Sequence, residues 1–599
     1  MALATEREAR AAARERAAAV YCKGPLLDAV QRLRVFEDGK HFVDMPMRKD
    51  PEDILSAFEQ LSAEAKADAG SLRDFVAEHF FEPGSELVEL KASQIGPEIP
   101  PFLEAGKLRD ENLREFAVAL HRLWPTLCRV TASSVTDALH RTSALPREHA
   151  MVLPGGRFRE TYYWDSLWII HGLLSSGMRS VARGLVQNLL GDVHEFGFVP
   201  NGGRIYYLNR SQPPMLHAMV AAVVEDMDEE EAVSWLPDAF EGLKREYEWW
   251  MSAEHGHMVQ VGPFKLNRYY AHWDGPRPES YWEDLVTAGG SVEVYRELAS
   301  VAETGWDFSA RWSRAGGCAG SSGYELRTSE VTSVLPVDLN AMMYSFERTL
   351  AAMAEAVATG GKFRAVAPPG ATYEDPTAAA FSEAATQRRH AFDTLFWRKD
   401  RWVDLWLPDG GPGPWPADVA ASAHGGARAA TLADFAVPLW ARLADECQAS
   451  AIVGSLADCG LLGPGGLATT SIASGQQWDA PNAWPPLQSM LIEGLAASEA
   501  PEAPALALEL ARRWVGTCLM AWKSTGHMHE KYDADEFGKD GGGGEYEPQV
   551  GFGWSNGVAL HLMERFGDLL AVGASGFEVE TPQPQRRSQP SKLVRMASL

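Results

Sequence analysis

The stretch MRSVARGLVQNLLGDV, residues 178–193, decides the fold class of this chain. Its apolar positions are Met178, Val181, Ala182, Leu185, Val186, Leu189, Leu190 and Val193. Intervals of three and four residues place such side chains on one face of an α-helix. The same spacing runs through Leu113–Trp124 and Leu339–Met353, whereas Arg401–Leu407 is the best of few strand candidates. We therefore predict an all-α fold.

The helical stretches alternate with long loops that are rich in glycine, proline and aromatic residues. These loops are Pro154–Asp165, Phe198–Pro214, Asn267–Glu283, Gly305–Trp312, Gln476–Pro486 and His529–Trp554. Long loops within a compact domain generally carry function. We therefore expect a helical frame whose chemistry lies on one rim.

The composition excludes two classes of partner. The chain has 599 residues, of which 46% are hydrophobic and 23% charged, and its net charge is −26. Nucleic acid requires a basic face to neutralise its phosphates, so it is not expected as a partner. Apolar runs such as Ala218–Val224 are far shorter than the roughly 20 residues of a membrane helix. No membrane association is expected either.

We predict three segments along the chain. Residues 1–36 form a charged, helical N-terminal segment, residues 37–580 form one main domain, and residues 581–599 form a disordered tail. The tail contains three prolines, four basic residues and no acidic residue. The N-terminus has no continuous apolar region of the kind that secretory signals carry, so we expect a cytoplasmic protein. We expect it to be a monomer or a weak homo-oligomer.

Carboxylates stand beside aromatic residues throughout the loops. The pairs are Trp164 with Asp165, Glu279 with Tyr281 and Trp282, Trp306 with Asp307, Trp478 with Asp479, Glu530 with Tyr532, and Glu545 with Tyr546. Aromatic faces pack on the C–H surfaces of sugars, and carboxylates accept hydrogen bonds from sugar hydroxyls. For a single pair, an indole in the core and an acid that caps a turn is a sufficient explanation. Six pairs in loops favour a carbohydrate site.

Three arginines accompany these pairs: Arg157, Arg210 and Arg277. A guanidinium is always charged and offers a rigid fork of donors, which suits sugar hydroxyls and the orientation of carboxylates. An anionic substrate is the alternative, but the surrounding carboxylates would repel it. Surface ion pairs remain the structural alternative for each arginine taken alone.

The other chemistries that were considered lack support in the sequence. The glycine run Gly541–Gly544 is not followed by the Lys-Ser or Lys-Thr of a phosphate loop, and we interpret it as a flap that ends in Glu545. None of the six cysteines forms a CxxC pair, and no His, Asp or Glu cluster has metal-ligand spacing. We therefore expect acid–base chemistry without a metal or a cofactor.

Several of these loops resemble the signature segments of one family, the trehalases of glycoside hydrolase family 37. They are PGGRFRETYYWDS (Pro154–Ser166), PNGGRIYYLNRSQPP, PRPESYWED, TGWDFSARW, QWDAPNAWPP (Gln477–Pro486), HEKYD and GGGGEYEPQVGFGWSNG, in the order of the family. The resemblance covers residues 154–557 and implies an (α/α)6 toroid. Leu167, Ala483 and Pro485 depart from the usual residues, and none of these changes removes a charged group.

The resemblance also implies roles for individual residues. It makes Asp307 the general acid and Glu530 the general base, although the residues alone leave the opposite assignment open. It places Arg157, Trp164, Asp165, Asn201, Arg210, Ser211, Gln212, Arg277, Glu279, Gly305 and Glu545 around the sugars. The aromatic–carboxylate pattern adds Trp478 and Asp479 to the substrate-binding set.

These assignments predict hydrolysis of trehalose to two glucose molecules with inversion. An inverting glycosidase needs a protonated carboxyl and a carboxylate that stand roughly 6.5–9.5 Å apart to admit a water molecule. Two alternatives remain open at this point. One is a related toroidal glycosidase that acts on other α-glucosides, and the other is an inactive toroid that binds sugar or proteins.

Overall fold

The structure of the chain is a computed structural model. It describes residues 2–136, 138–318, 324–361, 363–364, 372–407, 428–544 and 546–571. The predicted tail, residues 581–599, and the predicted site residue Glu545 lie outside the described residues.

Within the described residues, twelve helices form two concentric rings. The outer helices are α1 (Glu111–His121), α3 (Arg179–Phe196), α5 (Glu229–Trp250), α7 (Pro376–Ala391), α9 (Glu446–Leu456) and α11 (Ala503–Thr525). The inner helices are α2 (Asp165–Ser175), α4 (Leu216–Glu225), α6 (Val337–Thr359), α8 (Ala433–Trp440), α10 (Pro485–Ala496) and α12 (Gly553–Phe566). Each inner helix contacts the next, and α12 closes the ring on α2. The fold is an (α/α)6 toroid, which confirms the prediction.

The sequence of each helix decides which ring it joins. In α3 the predicted apolar stripe, including Val181, Leu185 and Val193, is buried, while Arg179 and Gly191 are exposed. In α2 nearly every residue from Asp165 to Leu173 is buried. A helix with one apolar stripe covers a core, whereas a helix that is apolar all round must lie within it.

Two glycines allow the ring to close between its first and last inner helices. A Cβ added at Gly172 of α2 would collide with Gly557 of α12, and one added at Gly557 would collide with the backbone of Trp168. The backbones of α2 and α12 therefore approach more closely than a residue with a Cβ atom would permit at either position.

Further helices and short strands surround the toroid. Further α-helices are Ala2–Tyr21, Pro25–Arg32, Gly39–Val43, Pro51–Glu59, Ala63–Lys66, Ala69–His79, Pro101–Glu104, Trp124–Leu127, Ser133–Thr136, Tyr281–Ala288 and Val292–Glu303. Leu87–Glu89, Cys128–Thr131 and Met151–Val152 form an antiparallel three-stranded sheet. The antiparallel pairs are Met258–Val261 with Phe264–Asn267, Val334–Leu335 with Leu405–Trp406, Leu462–Gly463 with Gly466–Leu467, and Asn482–Ala483 with Tyr532–Asp533. The predicted strand 401–407 thus contracts to two residues.

The N-terminal segment packs against the loops of the toroid. Val20 and Tyr21 of the first helix share a buried cluster with Tyr162, Tyr206 and Tyr207. The short helix Gly39–Val43 is capped by Asp38, whose side chain accepts a hydrogen bond from the backbone of Lys40. None of the helices in the described ranges is long and apolar enough to cross a membrane.

Candidate active site

A cavity of about 520 Å³ opens among the loops at the N-terminal ends of the inner helices. Asp165 begins α2, Trp484 immediately precedes α10, and Trp554 lies in the first turn of α12, and all three line the cavity. The predicted site residues that line it are Arg157, Trp164, Asp165, Asn201, Arg210, Gln212, Arg277, Glu279, Gly305, Asp307, Trp478 and Glu530. The toroid therefore brings together loops that are dispersed over nearly 400 positions of the sequence.

Two predicted site residues lie behind the cavity wall. Ser211 is buried, and its hydroxyl donates to the Val199 carbonyl at 2.6 Å. Asp479 is fully buried and accepts hydrogen bonds from the Ser309 hydroxyl at 2.7 Å and the Ala310 backbone at 2.8 Å. Neither residue is among those that line the cavity, and both side chains form hydrogen bonds with neighbouring loops.

Asp307 stands on an aromatic floor. The adjacent Trp306 is buried and stacks on Trp478 with ring centroids 5.4 Å apart, and Trp478 stacks on Trp484 at 3.9 Å. Burial raises the pKa of Asp307 to about 6, a shift that Arg277 opposes and Glu530 supports. Burial disfavours the charged form, so this carboxyl holds its proton better than an exposed aspartate does.

Glu530 is fixed by several donors. Its Oε1 accepts from the Tyr546 hydroxyl at 2.7 Å, and its Oε2 accepts from the Gln549 backbone N–H at 3.3 Å. The indole of Trp554 donates to its main-chain carbonyl at 2.9 Å, and the side chain is buried. Hydrogen bonds to both oxygens fix the orientation of this carboxyl group.

Lys531 lies close to both acids and contacts groups at or next to each of them. Its Nζ lies 3.6 Å from Oε2 of Glu530 and donates to Oε1 of Gln477 at 3.1 Å. The amide of Gln477 in turn donates to the backbone carbonyl of Asp307. The pKa of Lys531 is lowered because burial disfavours its charged form. The charges of Glu530 and Asp307 act in the opposite direction but do not reverse the shift. Lys531 and Gln477 therefore link the segment that carries Glu530 to the loop that carries Asp307.

The three predicted arginines each hold a carboxylate. Arg210 donates to Glu279 at 2.6 Å and to Asn201 at 2.7 Å. Arg277 forms a two-pronged pair with Asp284 at 2.7 and 2.9 Å. Both guanidiniums are buried, which removes the surface ion pair as their explanation.

The third guanidinium pairs with a residue far upstream in the chain. Arg157 forms a two-pronged pair with Asp38 at 2.7 and 2.8 Å, and it lies over the ring of Tyr546 at 4.9 Å. Asp38 precedes the motifs that carried the family resemblance. Asp38 also lines the cavity. The sequence contained no signal that this residue belongs to the site.

Asp165 places a second carboxyl of raised pKa in the cavity. Burial raises its pKa to about 8, and the charges of Glu530 and Asp307 add to the shift. A neutral carboxyl offers a donor as well as an acceptor to a sugar hydroxyl. Trp164 beside it leaves no room for a side chain at Gly305, where an added Cβ would lie 2.9 Å from the indole and φ is 72°.

Other residues of the site were missed from the sequence. Besides Asp38, they are the anchor Asp284, the bridging Gln477, the donor Tyr546, and the wall aromatics Phe158, Tyr162, Tyr207, Trp484, Phe552 and Trp554. Tyr546 and Gln477 stand within the family-like segments, and their position beside Glu545 and Trp478 was the signal available. Their partners could not be identified, because each bond joins distant parts of the chain.

One segment matches a sequence pattern that is typical of serine hydrolases. GWSNG, residues 553–557, matches the Gly-x-Ser-x-Gly pattern of a serine nucleophile elbow. Ser555 is fully buried within α12, and its hydroxyl donates to the His529 carbonyl at 2.5 Å. This serine therefore links α12 to the segment that carries Glu530 and does not face the cavity.

A helical toroid with two carboxyls in a cavity walled by aromatic rings and guanidiniums has the architecture of a glycoside hydrolase. The sequence model of the Trehalase family matches residues 34–567. The probable trehalase of Oryza sativa subsp. japonica is 37% identical over 549 residues, covering 88% of this chain and 92% of that protein. The trehalase of Homo sapiens is 36% identical over 569 residues, covering 93% of this chain and 90% of that protein.

Solved structures agree with this result. Neutral trehalase Nth1 from Saccharomyces cerevisiae matches with a TM-score of 0.52 and 25% identity, over 69% of this chain and 74% of that chain. The chain belongs to the trehalase family, as the order and content of its loop motifs predict.

Proposed function

We propose that this protein hydrolyses α,α-trehalose to two glucose molecules by an inverting mechanism. The observation that carries the proposal is the pair of carboxyls in one cavity. Asp307 has a pKa raised to about 6 by burial, and Glu530 is held by hydrogen bonds to both oxygens. Two carboxyl groups whose environments differ in this way suit the two halves of acid–base catalysis. The identity of the substrate is inferred from the relatives, which are described as trehalases.

In the proposed reaction Asp307 is the general acid. Its proton passes to the oxygen that bridges the two glucose rings as the bond from that oxygen to one anomeric carbon breaks. Glu530 accepts a proton from a water molecule whose oxygen bonds to the same carbon from the opposite face. One glucose leaves with its α-configuration, and the attacked glucose becomes the β-anomer. The next cycle requires the proton on Glu530 to return to Asp307 through solvent.

The residues around Glu530 suit a base that must act on one water molecule. The Tyr546 hydroxyl and the Gln549 backbone fix the plane of the carboxylate. Fixed orientation matters because a reacting group out of line by a fraction of an ångström loses much of its rate advantage. The Nζ of Lys531 lies 3.6 Å from Oε2 of the same carboxyl group and adds a further polar contact.

The cavity wall suits two glucose units. Trp164 and Trp478 offer apolar faces, while Arg157, Arg210 and Arg277 offer forks of donors that their carboxylate partners hold in position. Asp165, Asn201, Gln212 and Glu279 add further hydrogen-bonding groups, and Gly305 allows the indole of Trp164 to lie against the backbone. We assign Ser211 and Asp479 a supporting role behind this wall. Glu545 remains a proposed sugar contact that follows the glycine run.

The test combines substrate choice with stereochemistry. Glucose release should be much faster from trehalose than from maltose or sucrose, and proton NMR at early times should show equal α- and β-glucose. Asp307→Asn and Glu530→Gln should abolish this release while the protein stays folded. Faster hydrolysis of maltose would indicate a different α-glucosidase, two α-glucoses would indicate retention, and no hydrolysis would indicate an inactive sugar-binding toroid.

A further inference from the structure

Three ligand-type side chains meet inside the toroid, away from the sugar cavity. His171 lies on α2, Glu493 on α10 and His561 on α12, so three consecutive inner helices each contribute one residue. The residues follow the starts of their helices by six, eight and eight positions. At 1.5 Å per residue, the cluster lies about 9–12 Å from the ends that form the cavity.

The geometry of this His171–Glu493–His561 cluster is compact. One ligand atom from each residue can be chosen so that all three lie within 4.8 Å of one another. Nε2 of His561 lies 3.2 Å from Oε1 of Glu493, and the two imidazoles stack with centroids 4.8 Å apart. Nδ1 of His171 is buried without a hydrogen-bond partner among the described residues. Such an atom has lost its water without a replacement, which is costly unless a ligand completes it.

The residue types of the cluster also suit a cation. Metal ions bind the imidazole nitrogens of histidine and the carboxylate oxygens of glutamate, and this cluster offers both.

We propose that His171, Glu493 and His561 bind one divalent transition-metal ion, with Zn²⁺ as the fitting ion. Two imidazole nitrogens and one carboxylate oxygen are a common protein ligand set for zinc, and water completes the tetrahedron. Zinc bonds of about 2.0–2.1 Å place ligand atoms roughly 3.4 Å apart, so ligand atoms that lie up to 4.8 Å apart must approach each other by up to about 1.4 Å. Hard cations such as Mg²⁺ prefer oxygen ligands and do not fit this set.

An entry route exists from the opposite side of the toroid. His561 lines an open cavity of about 460 Å³ beyond the end of α12. Lys107 and Arg565 also line this cavity, together with the acidic Glu564 and Asp568. Arg565, like Arg442 near Glu493, opposes a cation. We therefore expect weaker binding than at a structural zinc site with four protein ligands.

The position of the cluster indicates a structural role. The helices α2 and α12 are the first and last of the inner ring, and α10 adjoins α12. An ion bound to all three joins the two ends of the ring, where the chain must return to its start. A ligand that binds only the folded state stabilises it by mass action. This inference does not depend on the substrate, because none of the three side chains lines the sugar cavity.

Zinc titration of the full chain tests the proposal. After removal of metals with a chelator, calorimetry with ZnCl₂ should show one ion bound per chain, and zinc should raise the Tm. Glu493→Gln and His561→Gln should each weaken zinc binding by more than about tenfold, the lower limit for changes that merely support a ligand. His527→Gln is the matched control. It makes the same substitution at an exposed histidine outside the cluster, two residues from His529. It should leave binding and the Tm shift unchanged.

Two further measurements keep the test decisive if a variant misfolds. Co²⁺ added to the unmodified protein should give the visible absorption of a tetrahedral site with nitrogen and oxygen ligands. Anomalous diffraction at the zinc edge should place the ion between His171, Glu493 and His561. A titration without binding, an ion located elsewhere, or loss of binding in His527→Gln would overturn the proposal.

Discussion

At the scale of single residues, the two proposed catalytic carboxyls differ through what surrounds them. Asp307 is half-buried and follows the buried Trp306, whereas Glu530 is buried among hydrogen-bond donors. A hydrogen bond to a charged group is worth about 1.5–3 kcal/mol, so the donors of Glu530 should be measurable one at a time. Arg277 acts on Asp307 through its charge, and this effect should be measurable as a shift in pH dependence.

Tyr546→Phe removes the hydroxyl that donates to Glu530 and keeps the ring. We expect kcat to fall roughly tenfold or more, about 1.4 kcal/mol, with little change in KM, because the base loses its orientation. Steady-state kinetics on trehalose measure this. Tyr21→Phe is the control, since it also removes a buried hydroxyl, one that donates to Met45 outside the cavity. An equal loss of kcat in both variants would contradict the assignment.

The raised pKa of Asp307 predicts the high-pH limb of activity. The acid must carry its proton, so kcat/KM should fall as the pH rises above about 6, the pKa of this carboxyl. Arg277→Gln removes the guanidinium that lowers this pKa, so the limb should move to higher pH even though overall activity drops. Arg179→Gln removes an exposed charge paired with Asp226 and should leave the profile in place. A limb that stays fixed in Arg277→Gln would show that Asp307 is not the titrating acid.

At the scale of elements, the loop that carries Asp307 is anchored below the cavity. Arg311 is fully buried and pairs with Asp338 of α6 at 2.7 Å and with Asp404 at 2.8 Å. Its guanidinium also lies over the rings of Trp306 and Trp312 at 4.5 and 4.4 Å. The loop is therefore attached to the inner ring by charge and by stacking.

Arg311→Met removes the charge while keeping much of the volume. Two buried carboxylates then lack their partner, and we expect the free energy of unfolding to fall by about 3–5 kcal/mol. Urea denaturation measures the change. The control Arg245→Met lies on the exposed face of α5 and should change stability by no more than about 0.5 kcal/mol. A loss below 1 kcal/mol for Arg311→Met would contradict the anchoring role.

At the scale of the whole molecule, the ring depends on the close contact of α2 and α12. These two helices begin 388 residues apart and meet through Gly172 and Gly557. The contact closes the toroid and holds the start of α2, with Asp165, beside the start of α12, with Trp554.

Gly557→Ala places a methyl group against the backbone of Trp168. Overpacking of this kind costs about 1–3 kcal/mol, so the midpoint of urea denaturation should fall. Gly191→Ala in α3 is the matched control, because no atom lies within 4 Å of its added Cβ. That change should stabilise the protein by about 0.4–1 kcal/mol, since alanine restricts the unfolded chain. The same loss in both variants would contradict the assignment of the Gly557→Ala effect to the contact between α2 and α12.

The sequence alone determined the fold class and the family. The three-and-four spacing of Met178–Val193 depends only on near neighbours, so the helix can be predicted without any tertiary contact. The loop motifs resemble those of the trehalase family, and the stretch that the family model matches contains all of them. Most of the predicted site residues line the cavity, which also has lining residues that the sequence did not predict.

Only the tertiary structure decided which groups meet and how burial changes their chemistry. Asp38 reaches Arg157 from outside the motifs, Asp479 lies behind the wall, and the histidine–glutamate cluster has no ligand spacing in the sequence. The raised pKa of Asp307 likewise arises from burial by loops far away in the chain. The physical reason is common to all: hydrogen bonds, desolvation and charge act over a few ångströms in space. Closure of the ring sets those distances.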